Sequence, residues 1–150
     1  MPPSYRIVNA ANFPNACIVA VDYAETALRA LQSIARGAAL PVLPIVADLL
    51  TFALPRARFD AILNVNFLDR ALVPRLIDAL RPGGAMLFDT FLIDQAATGH
   101  PCNPDFMLRH YELREMLDAM ELVRYRETLV AYPGGNRAWR ASALAIRRGA

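Results

Sequence analysis

The sequence contains no lysine: all 16 of its basic residues are arginine, and the net charge is only +2. The arginines are scattered along 150 residues rather than clustered, which argues against a nucleic-acid-binding patch. There are two cysteines, Cys17 and Cys102, and two histidines, His100 and His110. Two cysteines make neither a disulfide framework nor a metal set. The histidines have no cysteine or acidic ligand at regular spacing, so no structural metal is expected. Cys17 leads an apolar run and reads as a small core residue. Charges break every long apolar run, leaving each short of the ~20 residues a membrane-crossing helix needs. No basic-then-apolar leader opens the chain. Together these absences predict a soluble, cytoplasmic protein with no nucleic-acid or membrane partner.

Hydrophobic residues are abundant, at 55% of the chain. The length suits one core, and such a composition must bury much of it, as a parallel sheet covered on both faces does. Short continuous apolar runs predict strands at 16–21, 42–47, 59–65 and 85–91. Pro44 places the second at a sheet edge, because proline cannot donate to a ladder; the third reads as central. Between them, Ala27, Leu28, Leu31 and Ile34 give one apolar helical face over 24–36, with Gly37 at its C-cap. Leu72, Leu76, Ile77 and Leu80 give another over 72–80, stopped by Arg81-Pro82-Gly83-Gly84. A loop over 94–105 and a helix over 111–120 follow. Strands over 122–130 and 139–147 are joined through Pro133-Gly134-Gly135-Asn136, short enough for an antiparallel hairpin. Tyr132 and Trp139 read as hairpin packing residues. Alternation of strand and helix predicts an α/β, Rossmann-like, mostly parallel sheet with helices on both faces and a C-terminal antiparallel hairpin.

Several segments in order resemble the class I S-adenosylmethionine-dependent methyltransferases, and more narrowly their small bacterial tellurite-resistance-like branch. Val19-Ala20-Val21-Asp22 resembles the family's second strand and its acidic tip. Val46-Ala47-Asp48-Leu49 resembles the third strand, Phe59-Asp60-Ala61-Ile62 the start of the fourth, and Leu80-Arg81-Pro82-Gly83-Gly84 the turn before the fifth. The likeness runs from about Ile18 to Arg148. It implies that Asp22, with Tyr23 beside it, binds the ribose of S-adenosylmethionine, and that Asp48 accepts the adenine amino group with Leu49 against the ring. It also implies that Asn64, Asn66 and Phe67 lie near the methionine part and a small-molecule acceptor. From the residues alone, Asp22 serves equally as a cap of the following helix, Asp48 as a turn residue, and the two asparagines as partners of loop backbone. Asp89 ends a strand at the ligand edge of such a sheet and reads as an acceptor-side acid. The loop from Gly99 to Pro104 resembles the segment that covers the acceptor pocket. His100 within it is the candidate general base, because its side chain titrates near neutrality; a surface loop histidine is the simpler reading.

The likeness departs at the N-terminus. Class I methyltransferases carry a glycine-rich cofactor loop after their first strand, and Met1 to Cys17 contains no glycine. Tyr5 to Ala10 could form a strand, but a parallel crossover of a dozen or more residues does not fit before Ile18. Residues 1–17 are therefore expected to be an atypical segment ahead of a methyltransferase-like domain over 18–150, an N-terminally incomplete version of the fold. Unpaired inner edges would need cover, which predicts a homodimer, with Tyr5 to Ala10 or an exchanged strand of a second chain filling the gap. Three functions stay open: methyl transfer to a small acceptor, a non-catalytic oligomerising relative, and a module that binds an adenosine-containing ligand without transfer.

Overall fold

The structure, a computed structural model, describes residues 16–149. The strand expected over Tyr5 to Ala10 lies outside the described residues. After Ala53 the chain divides into two compact units. No helix among the described residues is long and apolar enough to cross a membrane.

The first unit is a β-α-β element: β1 (Ile18–Asp22), α1 (Glu25–Gly37) and β2 (Val42–Val46). The strands pair in parallel, Ile18 opposite Val42 through Asp22 opposite Val46. Helix α1 packs on both strands through buried Leu28 and Ala35, while Ile34, expected on the same face, is 43% exposed. Glu25 and Arg29 pair across one turn at 2.6 Å. The helix runs through Gly37, one residue past the expected stop; Ala38 caps it and Ala39 takes the positive φ of 52°. Cys17, read as a core residue, is exposed. It precedes β1, whose first two residues, Ile18 and Val19, are themselves 44% and 36% exposed. Pro44 sits in a two-stranded sheet, where every strand is an edge.

The second unit contains β3 (Phe59–Val65), α2 (Leu72–Ala79), β4 (Leu80–Phe91), α3 (Glu112–Met116), β5 (Met120–Ala131) and β6 (Arg137–Arg147). Its sheet has the order β3-β4-β6-β5. β3 and β4 are parallel; β6 is antiparallel to both β4 and β5. The terminal hairpin turns through Gly134 and Gly135 at φ 94° and 84°, closed by the Tyr132 N–H on the Asn136 carbonyl.

One face of this sheet carries the core. Met86, Phe88 and Thr90 of β4 stand beside Ala145, Ala143 and Ala141 of β6, all at most 1% exposed. The three alanines leave room for larger neighbours. Leu72, Val73, Leu76 and Ala79 of α2, and Leu113 and Leu117 around α3, are buried to the same class. Burying a side chain the size of Phe88 contributes roughly 1.5–3 kcal/mol.

Three elements differ from the sequence expectations. β3 was expected to be central but ends its sheet among the described residues, pairing with β4 alone, and its Leu63 and Val65 are 62% and 52% exposed; a continuous apolar run cannot name its neighbours. The helix expected over 111–120 spans only Glu112–Met116. Leu113, Leu117 and Met120 keep helical spacing, but Met120 already belongs to β5. β4 begins at Leu80 rather than Ala85 because residues 81–84 bulge out of the ladder, whose register jumps from Phe59 opposite Leu80 to Ala61 opposite Ala85. Gly83 has φ 77° there. At Gly84 a Cβ would stand 2.9 Å from the Arg81 carbonyl oxygen and 3.2 Å from that of Asp60. Both are backbone atoms and cannot swing aside. Gly84→Ala is therefore expected to destabilise the protein by about 1–3 kcal/mol, read as a lower urea midpoint with unchanged slope.

Candidate functional site

Parallel pairing puts both C-terminal strand tips of the first unit on one edge. Asp22 is the last residue of β1, opposite Val46, and its carbonyl accepts the Ala47 N–H at 3.1 Å. Asp48 follows two residues beyond Val46. The two acids have the same local geometry. Oδ1 of Asp22 accepts the Ala24 N–H at 2.7 Å, and Oδ1 of Asp48 accepts the Leu50 N–H at 2.9 Å. Each is an Asx-type turn, in which the side chain satisfies a backbone donor two residues on. Ala24, not Asp22, is the N-cap of α1, so Asp22 organises the approach to the helix from outside it. The second carboxylate oxygen of each acid takes no hydrogen bond or ion pair among the described residues. Tyr23 is 83% exposed beside Asp22, and Leu49 is half-buried beside Asp48. The edge thus offers two carboxylate oxygens, an aromatic ring and an aliphatic side chain. That set can accept hydrogen bonds from a diol or an amino group and pack against a flat ring.

In the second unit the other expected residues gather where β3 opens into its loop. Asn64 is buried, and its Nδ2 donates to the Phe67 carbonyl at 2.7 Å. Asn66 takes φ 59°, and its N–H donates to the Asp89 carbonyl at 2.9 Å. Phe67 is 37% exposed. The Asn64 amide therefore closes the loop on itself, as the backbone-partner reading anticipated for this side chain.

Asp89 is committed to the sheet. Its Oδ1 accepts from Nε of Arg140 at 2.8 Å and from the same guanidinium's Nη2, and its Oδ2 accepts from the Ser142 hydroxyl. Arg140, 3% exposed, also lies 4.3 Å over the Phe91 ring. With both oxygens engaged, the acceptor-side role read for Asp89 gives way to that of counter-ion to a buried arginine.

His100 lies exposed in its loop. Its Nδ1 is 3.5 Å from the Cys102 thiol, and its carbonyl accepts from Nε2 of Gln95 at 3.0 Å. No carboxylate orients its ring among the described residues. The histidine with such partners is His110. Its Nδ1 is 2.7 Å from Glu127 Oε2 and its Nε2 is 2.8 Å from Asp94 Oδ2. Glu127 also accepts the Tyr111 N–H at 2.5 Å and the Tyr125 hydroxyl. The Glu127 bond, helped by Asp94, raises the His110 pKa above its ordinary 6.5 despite the opposing effect of burial. Burial pushes Glu127 upward, but the bonds from Tyr125, the Tyr111 N–H and His110 outweigh it and leave its pKa lowered. Burial and the Glu127 carboxylate hold the Tyr125 hydroxyl protonated. With a carboxylate oxygen within 2.8 Å of each ring nitrogen, His110 forms a clasp between Glu127 and Asp94.

A second clasp joins Arg70, after β3, to Glu112 in α3, with Nε at 2.6 Å and Nη2 at 3.1 Å from its two oxygens. The Arg70 bond holds the Glu112 carboxyl down at about 2. Neither clasp is legible in the sequence, since the partners are 16 to 42 residues apart and share no motif. Surface depressions of about 500 Å³, lined by Tyr111, Arg114, Glu115 and Asp118, and about 250 Å³, lined by Leu87, Arg124, Arg126, Ser142, Ala143 and Leu144, include none of the expected site residues.

A histidine whose folded pKa is raised adds stability that is complete below its unfolded pKa and is lost as pH rises through the folded value. The His110 clasp is therefore expected to weaken as pH climbs above about 6.5. Melting temperature measured upward from that pH should fall in the wild type, and His110→Gln should lower the starting value and flatten that part of the profile.

Sequence comparison finds neither a matching family model nor a matching curated protein. Structure comparison does find likenesses. TehB from Haemophilus influenzae superposes with a TM-score of 0.72 at 18% identity, over 89% of this chain and 51% of that one. A SAM-dependent methyltransferase from Methanosarcina mazei gives 0.68 at 15% identity, over 88% and 82%. The N-methyltransferase NodS from Bradyrhizobium japonicum WM9 gives 0.64 at 14% identity, over 89% and 74%. The chain thus spans about half the length of the TehB structure. At these identities the likeness shows the fold: a Rossmann-like α/β arrangement of the methyltransferase kind.

Proposed function

We propose that this chain binds S-adenosylmethionine, through the edge that carries Asp22 and Asp48, and supports methyl transfer to a small-molecule acceptor. The observation that carries the reading is the pair of neighbouring strand-tip carboxylates, each with one oxygen fixed by its own loop and one without a partner among the described residues, on a fold shared with S-adenosylmethionine-dependent methyltransferases. A ribose diol donates two hydrogen bonds, and an acid at the C-terminal end of a parallel strand is placed to accept them. Asp22 takes that role, with the Tyr23 ring beside it. Asp48 accepts from the adenine amino group, and Leu49 supplies an apolar surface for the ring. Fixing one oxygen in an Asx turn presets the direction of the other, so less freedom is lost on binding.

Bound S-adenosylmethionine supplies an electrophilic methyl group on sulfonium. Transfer needs that methyl held in line with a nucleophile, and positioning accounts for most of the catalysis. A protein that works this way needs few acid–base groups, consistent with a His100 that no carboxylate orients. A second reading, an adenosine-ligand-binding module without transfer, is favoured by the commitment of Asp89 to Arg140 and of the Asn64 amide to its own loop. Both readings require the same edge.

Calorimetry with S-adenosylmethionine and S-adenosylhomocysteine tests that edge. Micromolar binding is expected in the wild type, with at least a tenfold loss in Asp22→Ala, the weakening that about 1.4 kcal/mol represents. An absence of binding at millimolar ligand, or an Asp22→Ala variant that binds as tightly as the wild type, would remove the proposal. Binding without turnover across a panel of small nucleophiles would select the second reading.

A further inference from the structure

The two ends of the four-stranded sheet are built differently. β5, at one end, carries Glu121, Arg124, Arg126 and Glu127, and its ladder is interrupted between Leu122 and Arg124. Charges and a bulge are the standard means of blunting an exposed edge. β3, at the other end, has neither. Its sequence, Phe-Asp-Ala-Ile-Leu-Asn-Val, contains no proline and a single charge, Asp60, which Arg81 holds at 2.8 Å. The register irregularity near Phe59 is taken up by residues 81–84 of β4, and Ala61 to Val65 remain a regular strand. Leu63 is 62% exposed and Val65 52%. An apolar, almost uncharged strand with an unpaired row of backbone groups is a template for another strand. Among the described residues this sheet is guarded at one end and bare at the other, the form of half an assembly.

We propose that β3 is an interaction edge and that its partner is β3 of a second copy of this chain, paired antiparallel about a two-fold axis at Ile62. The sequence is self-complementary in that register. Phe59 falls opposite Val65 and Ala61 opposite Leu63, both apolar pairs. Asp60 falls opposite Asn64, and Arg58 opposite Asn66, so no like charges meet across the strands. Isologous pairing uses one patch twice and closes on itself. The joined sheet then ends at both extremities on a guarded β5.

Light scattering, a trapping experiment and three lysine variants test this. The wild type is expected to have twice the chain mass at high concentration. Leu63→Lys sets lysines near the axis of the pair at a position open enough to accept them, and should halve the mass without changing the circular dichroism. Val123→Lys, equally exposed at 57% but on β5, should remain dimeric. In a Cys17→Ser, Cys102→Ser background, Ile62→Cys should cross-link to its own copy on mild oxidation, since directly opposed strand positions fall within the range a disulfide spans. A monomeric wild type overturns the proposal. So does a dimer that survives both Leu63→Lys and Val65→Lys, or one that Ile62→Cys does not trap. If Leu63→Lys fails to fold, Val65→Lys and the trap decide the matter alone.

Discussion

Parallel pairing is the constraint on which this protein's chemistry rests. Two strands that run the same way must end on the same side, and their C-terminal tips then present side chains together. In the first unit this sets Asp22 and Asp48 on adjacent tips. In the second it lays the loop of Asn64 and Asn66 beside Asp89, and the Asn66 N–H is bonded to the Asp89 carbonyl. Pairing places both groups, but local hydrogen bonding separates their roles. Asp22 and Asp48 each spend one oxygen on a turn and keep one. Asp89 spends both on Arg140 and Ser142, and the Asn64 amide is turned back on Phe67. A polar group at a strand tip is a ligand contact only when its own surroundings leave it an unused lone pair or proton.

Backbone pairing also sets the limits of the described fold. β4 and β6 have a neighbour on each side, and the buried residues Met86, Phe88, Ala143 and Ala145 lie on them. Among the described residues β3 has a neighbour on one side only, and it carries two of the most exposed aliphatic residues of the unit. The contrast with β5 is chemical. One edge carries charges of both signs and a ladder irregularity, while the other carries neither beyond Asp60. Exposure alone would say little, because apolar atoms are common on every surface. It is the unequal treatment of two edges in one sheet that carries the proposal of an interface at β3.

Much of this architecture was legible in the sequence. The runs at 42–47 and 59–65, the helix ending near Gly37, and the hairpin turning at Gly134-Gly135 all follow from apolar periodicity and turn chemistry, which are local. What escaped was non-local. The position of β3 at the end of its sheet depends on which strand stands beside it, and no property of Phe59–Val65 encodes that. The short α3 was overread because Met120 keeps helical spacing while starting a strand. The candidate site divides the same way. Asp22 and Asp48 could be read as strand tips, because an acid closing an apolar run is a local pattern. The partners of Asp89, Arg140 and Ser142, lie more than fifty residues away. His110 meets Asp94 and Glu127 only after the sheet has formed, and His100, the more conspicuous loop histidine, has no comparable support.

The central claim is that the open carboxylate oxygens of Asp22 and Asp48 form a binding edge for an adenosyl ligand. Its most direct test is a two-dimensional nitrogen–proton NMR titration of the isotope-labelled chain with S-adenosylhomocysteine, following each backbone amide. The account predicts that the amides of Tyr23, Ala24, Leu49 and Leu50, which border the two acids and include the donors to their fixed oxygens, shift together with one saturation curve, while those of the β5–β6 hairpin stay in place. Shifts confined to the hairpin, or none at millimolar ligand, would contradict it.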